Sequence, residues 1–135
     1  MKHIVELEKS IIIAADVTDP AKLRNMAFAV ENVPGISAVK FGLGLGLTDL
    51  ATMVKVVRNR LGENFPIIYD HQKAGNDIPE MGKVFASNLK AAGINAAILF
   101  PFAGPATQEA WTKACFNEGL QVLTGGIMTH AKFLA

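Results

Sequence analysis

Ile11-Ile12-Ile13-Ala14-Ala15-Asp16-Val17-Thr18-Asp19-Pro20 is the stretch on which the fold turns. Its first part is apolar and β-branched, the composition of a strand covered on both faces. It runs into Asp19-Pro20, a capping residue followed by proline at the first helical position. A strand over Ile11–Val17 therefore feeds a helix that carries Leu23, Met26, Ala27 and Val30 on one face and stops at Val33-Pro34-Gly35. The same alternation continues along the chain. Short β-rich runs recur at Ile36–Phe41, Pro66–Asp70, Ala96–Phe100 and Leu120–Thr124, most of them apolar almost throughout. Between them lie segments of helical periodicity. One carries Leu50, Met53, Val54, Val57 and Leu61 and ends at Gly62; another runs from about Pro79 to Ala92, with Met81, Phe85 and Leu89 inward and Gly93 as its C-cap. The last contains Ala110, Trp111, Ala114 and Cys115 and ends near Gly119.

Strand starts recur roughly every 24 to 30 residues, the size of one βα unit. Such alternation implies a parallel sheet with right-handed crossovers. A doubly wound open sheet and a (β/α)₈ barrel both satisfy it. A dinucleotide fold places G-x-G-x-x-G after its first strand, where this chain has Asp16-Val17-Thr18-Asp19-Pro20. Gly42, Gly44 and Gly46 follow the second strand with the wrong spacing and read as a flexible strand-to-helix connection.

The chain has 135 residues, enough for one domain with a buried core. Half of them are apolar and 19% are charged, far from the balance of a disordered chain. A net charge of +1 gives no electrostatic footprint for nucleic acid or an anionic membrane. The lone Cys115 cannot form an internal disulfide, the start is too charged for a signal peptide, and no apolar run approaches a membrane span. The expectation is a cytoplasmic protein without nucleic-acid or membrane partners.

In either architecture the working groups lie at the C-terminal ends of the strands. Those positions hold Asp16 after the first strand, Lys40 on the second and Asp70 at the tip of the third. Lys73 and Asp77 follow in the next loop, and Thr129 and His130 lie past the fifth strand. Charges that end apolar strands are costly unless paired or exposed at a site, so Asp, Lys and Asp on successive strands point to an alternating charge network.

The densest segment is Asp70-His71-Gln72-Lys73-Ala74-Gly75-Asn76-Asp77-Ile78-Pro79. It resembles the third-strand motif of the orotidine 5′-monophosphate decarboxylase family, Asp-x-Lys-x-x-Asp followed by Ile-Pro. Ile13-Ala14-Ala15-Asp16 is similar to the family's first-strand aspartate segment, Val39-Lys40-Phe41-Gly42 to its second-strand Lys-x-Gly, and Met128-Thr129-His130 to its Met-Ser-His after strand five. The spacing departs from the family pattern by one residue in each interval: three from Asp70 to Lys73 and four from Lys73 to Asp77. Residues three apart on a regular strand face opposite ways. Strand geometry should therefore end at or just after Asp70, with residues 71–76 as a bulge or loop and Gly75 or Asn76 carrying a positive φ. His71 and Gln72 are alternatives to Lys73 for the polar contacts.

The resemblance implies a partial (β/α)₈ TIM barrel of about five parallel βα units, residues 1–135 forming a single truncated domain of the ribulose-phosphate-binding type. It implies cofactor-free, metal-free decarboxylation of orotidine 5′-monophosphate to uridine 5′-monophosphate. Lys73 would be the proton donor, Asp70 would sit by the departing carboxylate, and Lys40 would neutralise Asp70 and touch the ribose. Asp16 would hold sugar hydroxyls, Ile78 and Thr129 would contact substrate, and Asp77 would be donated across a homodimer interface. The phosphate loops of such barrels follow strands seven and eight, so these residues alone are not expected to turn over. Two other readings are a Mg²⁺-dependent sugar-phosphate decarboxylase or aldolase of the same superfamily and a non-catalytic half-barrel that folds by oligomerising.

Overall fold

The structure, a computed structural model, describes residues 3–71, 74–128, 130, 131 and 133. Five strands form one parallel sheet in the order β1-β2-β3-β4-β5: β1 (Ile11–Ala15), β2 (Ile36–Phe41), β3 (Ile67–Asp70), β4 (Ala96–Leu99) and β5 (Gln121–Thr124). Among the described residues five helices are interleaved: α1 (Pro20–Val30), α2 (Leu43–Gly46), α3 (Leu50–Leu61), α4 (Met81–Ala92) and α5 (Pro105–Asn117). Each strand pairs with the next in sequence. A doubly wound sheet reverses its strand order partway across; unbroken sequential order is that of an arc of barrel wall.

Local chemistry sets the element boundaries. Asp19 Oδ1 accepts the N–H groups of Ala21 and Lys22 at 2.8 and 2.9 Å, satisfying donors that the first turn of α1 cannot pair internally. Those bonds, that of Lys22 foremost, hold its carboxyl below the ordinary carboxylate range. Asp49 caps α3 in the same way through Thr52. Gly93 ends α4 at φ 87°, a left-handed cap that favours glycine.

Alternation along the strands divides the interior in two. Val39, Phe41, Ile67, Tyr69, Ala97 and Leu99 face the helices and pack with Leu23, Val57, Leu89 and Trp111 in the main core. Ala38, Ile68 and Ala96 lie on the opposite face, where Ile4 and Val5 from the N-terminal segment pack against them. Lys40 and Asp70 follow Ala38 and Ile68 by two residues, so strand periodicity sends them to that second face. Leu23, Val57 and Phe41 are fully buried. A large apolar side chain taken out of water contributes about 1.5–3 kcal/mol, so the helix-facing core carries most of the stabilisation.

Four sequence expectations need correction. β1 ends at Ala15 rather than Val17, because Ala15, opposite Phe41, is its last paired residue. It is also not covered on both faces: Ile11 is 61% and Ile12 40% exposed, and among the described residues β1 stands at the sheet edge and pairs with β2 alone. Met81 is exposed, and the inward positions of α4 are Gly82, Ala86 and Leu89, with Phe85 half-buried. The bare edge of Gly82 lets α5 come close; a Cβ there would lie 2.9 Å from Trp111 Cα. Finally, the Gly42–Gly46 segment is no flexible connection. It forms the one-turn helix α2, in which a Cβ at Gly42 would overlap Asp16 Oδ1 and one at Gly46 would overlap the Tyr69 hydroxyl. Among the described residues no helix is long and apolar enough to cross a membrane.

Candidate active site

Asp16, Lys40, Asp70 and His71 line one cleft of about 390 Å³ at the C-terminal ends of β1 to β3, together with Gly42, Leu43 and Met128. Its centre is an ion pair. Lys40 Nζ donates to Asp70 Oδ2 at 2.7 Å, with the two side chains 24% and 10% exposed. Sheet register builds this contact. Lys40 lies opposite Ile68, and Asp70 is the next residue along β3 that faces the same way. Burial makes such a pair sensitive to loss of either partner, since the remaining charge is left in a poorly solvated place. Among the described residues, the buried Asp70 Oδ1 has no hydrogen-bond partner.

Asp16 is exposed at the rim, directly beyond the last residue of β1. Gly42 makes room for its carboxylate, so the Lys-x-Gly pattern has a steric cause: the glycine is where the first-strand acid leans over the second strand. Behind Asp70, Tyr69 points into the helix-facing core. Burial, and then the neighbouring Asp70 charge, push its phenol above the ordinary value. His71 meets the Tyr69 ring edge-on, with centroids 6.1 Å apart, while also lining the cleft.

β3 ends at Asp70, as the spacing of the motif requires, and Gly75 carries a φ of 88°. A Cβ at Gly75 would lie 3.3 Å from Pro101 Cα, so glycine there serves both the turn and the close approach. His71 O accepts Ala74 N–H at 2.7 Å. Lys73, Gln72 and Thr129 lie outside the described residues. Asp77 and Ile78 are exposed on the β3–α4 loop and are not among the residues lining the cleft. Asp77 Oδ1 accepts the N–H of Ile78 at 2.7 Å. The structure thus joins Asp16, Lys40 and Asp70 in one place and leaves Asp77 exposed and outside the cleft lining.

Leu43 was not legible as a lining residue, because nothing in the sequence showed that a helical turn would follow Gly42. Cys115 is buried, which pushes its thiol up to about 11, so it is a small core residue rather than a nucleophile. Among the described residues no three or more His, Cys, Asp or Glu side chains converge as metal ligands would.

No protein-family model matches the chain. The orotidine 5′-phosphate decarboxylase of Methanosarcina barkeri (strain Fusaro / DSM 804) is 30% identical over 133 residues, covering 96% of this chain and 57% of that protein. Among solved structures, the orotidine 5′-monophosphate decarboxylase of Methanocaldococcus jannaschii superposes with a TM-score of 0.77 at 22% identity, covering 93% of this chain and 60% of that one. The orotidine 5′-phosphate decarboxylase of Pyrococcus horikoshii OT3 gives 0.71 at 23%, covering 91% and 56%. The chain resembles orotidine 5′-phosphate decarboxylases across its described length and spans a little over half the length of these relatives. Their fold and the sequential strand order agree: this is a partial (β/α)₈ barrel, strands one to five.

Proposed function

We propose that the cleft is the strand-borne half of a site that decarboxylates orotidine 5′-monophosphate to uridine 5′-monophosphate, the step that yields the pyrimidine nucleotide. The observation that carries this reading is the Lys40–Asp70 ion pair beside Asp16, at the C-terminal ends of three successive strands. An acid on the first strand suits ribose hydroxyls. A cation between the acids keeps two carboxylates compatible in one small space.

Loss of CO₂ leaves a carbanion on a ring carbon. A nearby cation stabilises that charge in the transition state and then delivers a proton. Lys73 is the residue proposed for both roles. Asp70 sits beside the departing carboxylate. Two like unit charges about 4 Å apart repel by roughly 4 kcal/mol at an effective dielectric near 20. That is well short of the ~8–23 kcal/mol that enzymes remove from a barrier. Transition-state stabilisation, anchored by remote ribose and phosphate contacts, supplies the rest. The chemistry needs neither metal nor organic cofactor. Ile78 and Thr129 are proposed substrate contacts.

Asp77 enters the reading through a second copy. Its exposed position supports donation to a neighbour's cleft in a homodimer, and the exposed Ile78 and Phe102 nearby supply apolar surface for that contact. The lone buried thiol suits a reducing setting such as the cytoplasm.

The test is turnover of orotidine 5′-monophosphate by a complete barrel carrying this sequence, followed by CO₂ release after exhaustive chelation. Activity should survive chelation, and Lys73→Ala should abolish turnover while keeping much of the nucleotide affinity. Activity lost with a chelator and restored by Mg²⁺ would move the assignment to the sugar-phosphate branch. Near wild-type turnover in Lys73→Ala would remove that residue from the mechanism.

A further inference from the structure

We infer that Thr107 and Trp111, both on α5, are positioning residues for the loop that carries Asp77 and Ile78. The functional part of this inference rests on the reading that Asp77 works in a decarboxylase site.

The loop between β3 and α4 has backbone carbonyls outside the strand ladders, and three of them are taken by groups of the next βα unit, Ile78 O also accepting the Met81 N–H at 3.2 Å. Phe100 N–H donates to Ala74 O at 2.8 Å. The Thr107 hydroxyl donates to Asp77 O at 3.0 Å, and the Trp111 indole N–H donates to Ile78 O at 3.1 Å. A fourth bond runs from Phe102 N–H to Asn76 Oδ1 at 3.0 Å. The two side-chain donors stand four residues apart on α5, which places them on one helical face, toward the loop.

Core packing alone does not call for these two polar atoms. Thr107 is 4% and Trp111 5% exposed, and valine and phenylalanine would fill most of the same space without a buried donor to satisfy. A buried hydroxyl or indole N–H left unpaired costs free energy, so both side chains hold the carbonyls they meet. Those carbonyls belong to the two residues, Asp77 and Ile78, whose own side chains are exposed. Side chains facing solvent take their direction from the backbone beneath them. The α5 donors therefore set where the Asp77 carboxylate and the Ile78 side chain are presented. The close approach that makes this reach possible depends on Gly82, under the Trp111 backbone and ring.

Amide hydrogen exchange on the whole 135-residue chain tests the inference directly. The variants are Thr107→Val, Trp111→Phe and the pair together, with Thr107→Ser restoring the hydroxyl. Each lost bond should speed exchange at the Ile78 and Met81 amides by about tenfold, with β2 to β4 amides unchanged and Thr107→Ser close to the parent. Unchanged loop exchange in the double variant, or equal acceleration across the sheet, would overturn the positioning role. The second arm measures turnover of orotidine 5′-monophosphate by a complete barrel carrying this sequence. Thr107→Val should lower kcat in the parent background but add nothing on top of Asp77→Asn, because its hydroxyl holds the Asp77 carbonyl. Full additivity on Asp77→Asn would overturn the inference. Absence of turnover in the unsubstituted complete barrel would instead overturn the decarboxylase reading and leave the exchange arm to decide the clamp.

Discussion

Asp70 and Asp77 belong to the same ten-residue segment, yet the molecule holds them in opposite ways. Asp70 ends a strand, is almost buried and meets Lys40 at 2.7 Å. Asp77 stands exposed on a loop whose carbonyls, rather than its carboxylate, are gripped by a helix about thirty residues further on. The strand-borne charge needs no special device. The register that stacks Ala38, Ile68 and Ala96 on one face puts Lys40 and Asp70 on that face as well. The loop-borne charge has no such lattice and depends on individual hydrogen bonds from α5. Chemistry built into a sheet is thus fixed by the fold itself, whereas chemistry on a loop needs its own supports.

The comparison can be broken most severely on the loop side. Trp111→Ala removes a buried aromatic from the core and the donor to Ile78 O together, and should cost about 3–5 kcal/mol in urea denaturation. A loss below about 1 kcal/mol would mean that α5 neither packs nor clamps as described.

On the strand side the effect is smaller and has a signature of its own. Lys40→Met or Asp70→Leu alone strands a charge in a poorly solvated place. Full burial would make this cost about 3–5 kcal/mol, and the partial exposure of Lys40 lowers the expectation to about 1–3 kcal/mol. The double variant should recover most of that loss, because two apolar groups replace the pair. Additive losses would mean that the two charges are solvated independently.

The smallest change in stability is expected at Gly42→Ala. Its new Cβ meets the far end of an exposed acid, so stability should move by no more than about 0.5 kcal/mol. The Asp16 carboxylate must move aside, however, and affinity for uridine 5′-monophosphate should fall about tenfold, the worth of one charge-assisted hydrogen bond. Unchanged affinity would remove Asp16 from the nucleotide site.

This division also explains what could be read from the sequence. The Asp19 and Gly93 caps and the strand-end placement of Lys40 and Asp70 follow from local sequence, as does the end of β3 at Asp70 from the parity of Lys73, whereas the end of β1 at Ala15 does not. The edge exposure of Ile11 and Ile12 was not legible, because an apolar run reads alike in a central strand and in an edge strand. Met81 was misplaced because its helical spacing with Phe85 and Leu89 suited an inward face, while the close approach of α5 at Gly82 rotated α4 toward its small residues. The clamp was invisible for another reason. Trp111 and Thr107 carry no motif, and their partners are backbone carbonyls, which every residue has.

The central claim is that Asp16, Lys40 and Asp70 form one nucleotide-binding cleft. A titration of the chain with uridine 5′-monophosphate, followed by backbone and side-chain NMR, tests it most directly. The expected result is saturable shifts at Asp16, Lys40, Asp70, His71 and Met128, with the α5 flank formed by Gln108, Thr112 and Phe116 unchanged. Shifts confined to that flank, or none at the cleft at millimolar nucleotide, would contradict the account.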